Sequence, residues 1–187
     1  MSRVLIGTVG YHNLRDYSLG PKLLPKLTAM DWPPSVVIEE MNWGPIAIVQ
    51  NLESLPEPYD RIIFVSSRAC GRLAGSITLR RWVGGLPPDK DLQDRISEAV
   101  TGVISIDNLL IVGEHFKVWP REVFLVDVEP GREEMGEAFT PEVEAAIPEV
   151  LRMVESLAAN DVSSLDGLVE MRGDNIDEQT KSVRPDG

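Results

Sequence analysis

The chain is poor in the residues that build metal and redox sites. It has one cysteine, Cys70, and two histidines, His12 and His115, in 187 residues. A lone cysteine excludes an intramolecular disulfide and any cysteine-based zinc centre. Aromatic residues make up only 6% of the chain. No apolar run approaches the roughly 18 residues of a membrane span. The opening MSRVLIGTVG lacks the layout of a cleavable signal. Positive charge is also scarce: 18 Lys and Arg stand against 30 Asp and Glu, a net charge of −12. That balance argues against general nucleic-acid binding. Together these absences predict a cytoplasmic protein with no nucleic-acid or membrane partner.

What is present reads as one α/β domain large enough to bury a proper core. Arg3–Val9 is a short apolar run, the pattern of a strand buried on both faces. Gly10 breaks it, a polar loop Tyr11–Ser18 follows, and Gly20-Pro21 opens a helix with Pro21 in its first turn. Pro25 predicts that this helix, over Pro21–Met30, is short or starts late. Ser35–Glu40 reads as a second strand, Pro45–Leu55 as a second helix and Arg61–Val65 as a third strand, ending at Ser66-Ser67.

This alternation with short connections is the mark of a parallel sheet with right-handed crossovers. Ser76–Val83 reads as an edge strand and Asp91–Val100 as a short helix. Ser105 caps a helix over Ile106–Phe116, and Val123–Val128 is a further strand. Thr140, Pro141, Glu142 and Glu144 start a last helix running to about Ala159, with a kink expected at Pro148. From Asn160 the chain turns polar. The expected organisation is a single domain over 1–159 and a polar tail over 160–187, flexible from about residue 172.

Ligands in open α/β sheets bind beyond the carboxyl ends of the strands, so Gly10–Gly20 should line any cleft. His12 falls in that loop, and Ser66, Ser67 and Cys70 fall at or just after another strand end. A Ser66–His12 or Cys70–His12 pair would supply a nucleophile and a base, but no G-x-S-x-G elbow surrounds either serine. Gly7-x-x-Gly10 is not a dinucleotide fingerprint. Residues 61–81 hold Arg61, Arg68, Arg72, Arg80 and Arg81 and no acid. They are either solvated arginines on an acidic surface or a local site for a carboxylate.

Four segments carry a family likeness. The first is the opening strand and loop, with Gly10, Asn13-Leu14, Asp16-Tyr17 and Gly20. The others are the strand Tyr59–Ser67, the run WPREVFLVDVEP over Trp119–Pro130, and Gly136–Val154 with its Thr-Pro start. In this order and spacing the chain resembles the hydrogenase maturation endopeptidases, which clip a C-terminal extension from the large subunit of nickel–iron hydrogenases. The resemblance implies a three-layer α/β/α sandwich with a mostly parallel sheet and an edge strand.

It also implies a nickel site of glutamate, aspartate and histidine. At those positions this chain has Tyr17, Ser66 and the Thr101-Gly102 stretch, none of them a ligand set for a metal that favours imidazole and carboxylate. No cofactor is therefore expected. Tyr17 and Ser66 should share one cleft, with His12, Asp16, Ser67, Arg68 and Arg72 as further cleft or partner-binding candidates. The implied partner is a hydrogenase large subunit or its C-terminal peptide. Two readings stay open: a peptidase or derived hydrolase, and a non-catalytic pseudo-peptidase or assembly factor.

Overall fold

The computed structural model describes residues 2–176. The chain enters the sheet through β1 (Val4–Thr8), a strand whose five residues are all buried. The chain leaves it through a loop and α1 (Leu19–Thr28) to reach β2 (Val36–Glu40), parallel to β1 on one side. It then crosses through α2 (Pro45–Glu53) to β3 (Arg61–Ser67), parallel to β1 on the other side. The strand order therefore reverses at β1, and β1 and β3 flank the switch point where open sheets make their crevice.

Beyond β3 come β4 (Ile77–Trp82), α3 (Asp89–Val100), α4 (Ile106–His115), β5 (Glu122–Val128), α5 (Pro141–Ala158) and β6 (Val169–Met171). The sheet runs β2-β1-β3-β5-β4-β6. Among the described residues, only β4 against β5 is antiparallel.

Alternation along the strands sorts the core into two layers. Ile6, Ile63, Val65 and Val126 meet the apolar stripes of α1 and α5, through Leu23, Leu27, Val150 and Val154. Leu5, Ile62, Phe64 and Leu125 meet α2 and α4 on the opposite face, through Ile48, Leu109 and Leu110. This is the expected α/β/α sandwich. Helix α1 starts at Leu19 and runs through Pro25, whose ring lies on the exposed side. Helix α5 likewise continues through the exposed Pro148.

Two expectations are corrected. The Ser76–Val83 strand is not the edge of the sheet, because β6 lies outside it in parallel register, Arg80 opposite Val169. The polar tail does not begin at residue 160 either. Leu165, Met171 and Ile176 are buried, and the Val83 N–H donates to the Met171 carbonyl at 3.0 Å. Three strand residues among charged neighbours carry no readable period, so β6 is silent in the sequence. The remainder of the expected tail, 177–187, lies outside the described residues.

Candidate functional site

At the carboxyl ends of β1 and β3 lies a cleft of about 180 Å³, lined by Gly10, Tyr11, Tyr17, Ser66, Ser67, Arg68 and the first residues of α4 up to Asp107. Its near wall is the loop after β1. That loop is folded tightly onto α1: a Cβ on Gly20 would sit 2.3 Å from the Val9 carbonyl oxygen, so only glycine permits this approach. The same loop is tied to the connection between β5 and α5 by Asp16. This carboxylate is fully buried. It accepts the N–H groups of Gly131 and Thr140 and the Thr140 hydroxyl, each at 2.8 Å. Thr140 precedes α5 as expected, but its hydroxyl is spent on Asp16 and makes no cap bond to its own helix. Asp16 is thus a fastener for the loop, and its candidacy as a partner-binding residue is withdrawn.

Tyr17 and Ser66 line the same cleft. Burial, reinforced by the carboxylates of Glu133, Glu129 and Asp16, pushes the Tyr17 phenol above its ordinary value. It therefore offers a hydrogen bond and not a negative charge. The Ser66 hydroxyl donates to Asp127 Oδ1 at 2.8 Å. Ser67 and Arg68 also line the cleft.

The Arg68 guanidinium grips Asp107 with two bonds of 2.8 and 3.0 Å and donates to Cys70 Sγ. Burial works against its charge, yet the Asp107 carboxylate holds it above the usual guanidinium range. Arg68 is thereby a fixed wall of the cleft, positioned by α4, whose N-cap Ser105 accepts the Asn108 N–H at 3.3 Å.

Behind Ser66 lies a buried charge cluster. Arg80 Nε donates to Asp127 Oδ2 at 2.9 Å, and Glu129 accepts the N–H groups of Cys70 and Gly71. Asp127 and Asp107 sit on segments read from sequence only as a strand and a helix, and Glu129 directly follows that strand. The role of Asp127 follows from register: Ser66 pairs with Asp127 across β3 and β5, and Thr78 pairs with Asp127 across β5 and β4. A strand-pairing register cannot be read from one chain.

Burial pushes the Asp127 carboxyl above its ordinary value, with Arg80, Arg68 and Ser66 pulling back. Its folded-state value exceeds its unfolded one, so the folded chain binds more protons across that interval. Stability attributable to Asp127 then falls as pH rises from about 4, its unfolded-state value, through its folded-state value. Asp127→Asn should remove that part of the fall. Urea midpoints taken from about pH 4 to 7 test this, and parallel profiles for parent and variant would refute it.

Several candidates fall elsewhere. His12 does not line the cleft; its Nε2 lies 2.7 Å from Glu40 Oε1 at the end of β2. The Ser66–His12 and Cys70–His12 pairs are therefore not formed. Cys70 is buried against Arg68 and Arg80, and burial raises its thiol despite both guanidinium groups. Gly102 sits past the end of α3, where a Cβ would meet nothing within 4 Å, and it does not line the cleft. Arg72 donates to the Thr78 hydroxyl and lies outside the cleft.

The arginines of 61–81 form no single surface. Arg61 is anchored to Glu122, the Leu157 carbonyl and Asn160 at the other end of β3. Among the described residues, no three His, Cys, Asp or Glu side chains are grouped to hold a metal ion.

The architecture and this cleft can be set beside known proteins. The hydrogenase maturating endopeptidase HybD from E. coli superposes with a TM-score of 0.63 at 21% identity, over 84% of this chain and 93% of that one. The chain has the hydrogenase maturation endopeptidase fold. A hydrogenase 2 maturation peptidase from a Thaumarchaeota archaeon gives 0.56 at 24% identity, over 83% and 97%. The [NiFe] hydrogenase maturation protease HybD from Thermococcus kodakarensis gives 0.54 at 16%, over 83% and 99%. No family model and no curated protein matches the chain. The fold implied by the sequence resemblance is the fold observed. Among the described residues, no helix of this endopeptidase-like fold is long and apolar enough to cross a membrane.

Proposed function

We propose that this chain is a hydrogenase maturation protease-like protein of the cytoplasm that recognises the C-terminal region of a nickel–iron hydrogenase large subunit without a nickel site of its own. The supporting observation is the cleft at the switch point of the endopeptidase fold, lined by a phenol and a hydroxyl, Tyr17 and Ser66, the residues that the sequence resemblance aligns with two nickel ligands. The donor set does not fit nickel. Tyr17 is held protonated by its surroundings, Ser66 is turned onto Asp127, and Gly102 has no side chain and lies outside the cleft. No step of a reaction is therefore routed through a metal.

What these residues can do is bind. Tyr17, Ser67 and Ser105 offer hydroxyl groups to a peptide backbone, and the Arg68–Asp107 pair fixes the wall against which it lies. Hydrolysis would need an activated nucleophile. Ser66 has a buried carboxylate as its partner and no histidine, which favours the pseudo-peptidase reading over the processing one.

The test is incubation with a nickel-loaded, unprocessed hydrogenase large subunit, followed by mass spectrometry and size-exclusion chromatography. A stable complex at unchanged subunit mass is expected. Loss of a C-terminal peptide would overturn the non-catalytic reading, and absence of a complex would overturn the partner.

A further inference from the structure

A second concavity lies at the opposite end of the sheet, before β3 and β5. It measures about 340 Å³, within the range of roughly 300–1,000 Å³ typical of small-molecule pockets. Trp119, Leu52, Leu55 and Tyr59 are among the residues that line it. The indole is fixed on three sides. Its N–H donates to the Leu110 carbonyl at 2.8 Å. Its ring meets the Phe64 ring edge-on, with centroids 5.7 Å apart. Gly113 leaves it room, because a Cβ there would lie 2.1 Å from the indole. Trp119 is thus a preorganised part of the lining.

Two cations rim this pocket, Lys117 and Arg121. Both are exposed, and among the described residues neither has an ion pair or a side-chain hydrogen bond. Asp60, the acid in the pocket wall, already accepts the Arg3 N–H at 2.7 Å. On a chain with a net charge of −12, two cations against the one carboxylate of Asp60 leave the lining of this pocket net positive.

Lys117 is also held in an unusual place. The Lys117 N–H donates to Glu114 and the Val118 N–H to Gly113, the double bond pattern that closes a helix. At this point glycine is favoured, yet Lys117 adopts φ +58°. A side chain kept in a left-handed conformation points to a use for it.

We propose that this pocket binds a small organic anion with a flat apolar body, its acid group on Lys117 and Arg121 and its ring against Trp119, Leu52 and Leu55. The site is independent of the hydrogenase reading, since it shares no residue with the Tyr17–Ser66 cleft.

The experiment titrates the full ¹⁵N-labelled chain with 2-naphthoate and, in parallel, its neutral counterpart 2-naphthamide. The acid should give saturable amide shifts over 52–62 and 117–121. It should bind about fivefold tighter than the amide, the preference that two exposed cations supply. Lys117→Gly and Arg121→Gln should each weaken the acid about two- to threefold and leave the amide unchanged. Lys117→Gly also relieves the left-handed strain, so its melting temperature should equal or exceed that of the parent. Lost affinity then cannot be ascribed to lost folding. Equal binding of acid and amide, unaltered binding by both variants, no saturable shift, or shifts confined to the Tyr17–Ser66 cleft would each overturn the proposal.

Discussion

A chain ended at Ala159 is expected to lose most of its stability. The segment that follows buries Leu165, Met171 and Ile176. Full burial of such side chains contributes about 1.5–3 kcal/mol each, so roughly 6 kcal/mol of apolar burial goes with the segment. Small domains have only about 5–15 kcal/mol in total. Two backbone bonds, from Val83 to Met171 and from Gly173 to Gly84, are lost as well, and β4 becomes an unprotected edge.

Gly173 shows how closely the segment is packed, since a Cβ there would lie 2.0 Å from the Gly85 carbonyl oxygen. The chain must pass within contact of another backbone at that point. Met171→Ala alone should cost about 2–5 kcal/mol. Urea unfolding followed by circular dichroism reads both. A truncated chain whose midpoint matches the parent would show that β6 is only draped over the domain and not part of it.

The same segment shows where sequence reasoning stops. Elements with a long period or a complete apolar run, such as β1, β3, α1 and α5, could be read because their burial is written in consecutive residues. The switch point could be read too, since βαβαβ order fixes a parallel sheet and its crevice. Strand β6 has three residues, and what places it is contact with Trp82 and Gly85 across the fold, which no local pattern encodes. The edge position assigned to β4 failed for that reason.

The cleft was legible only in part. Tyr17 and Ser66 could be placed because each follows a recognisable strand. Asp127 lies within VFLVDV and reads as a strand residue, and only its register opposite Ser66 gives it a role. The five arginines between 61 and 81 look like one patch in sequence. Strand direction sends Arg61 and Arg68 to opposite ends of β3, and burial ties Arg68 and Arg80 to carboxylates already present. Charge counted along a chain says little about charge free to meet a ligand.

Asp16 carries the largest single-residue effect expected at the site. In sequence it is the partner of Tyr17 in an acidic-aromatic pair and looks available to a ligand. In the fold it is fully buried and holds two backbone N–H groups and one hydroxyl. Asp16→Ala would leave the N–H groups of Gly131 and Thr140 without an acceptor. A buried orphan donor costs about 1–3 kcal/mol, so two of them and a lost charged acceptor should total about 4 kcal/mol.

Asp16→Asn keeps the shape but presents an N–H₂ group to one side of the donor cluster, and it should fall between parent and alanine variant. The functional consequence follows from position, because Tyr17 is the next residue and its phenol lines the cleft. Loosening Asp16 should therefore weaken the complex with the hydrogenase subunit even below the unfolding transition, while Tyr17→Phe should weaken the complex and spare stability. Urea midpoints and binding constants measured on the three variants separate the two roles. A Tyr17→Phe variant as unstable as Asp16→Ala would mean that the phenol, not the carboxylate, fastens the loop.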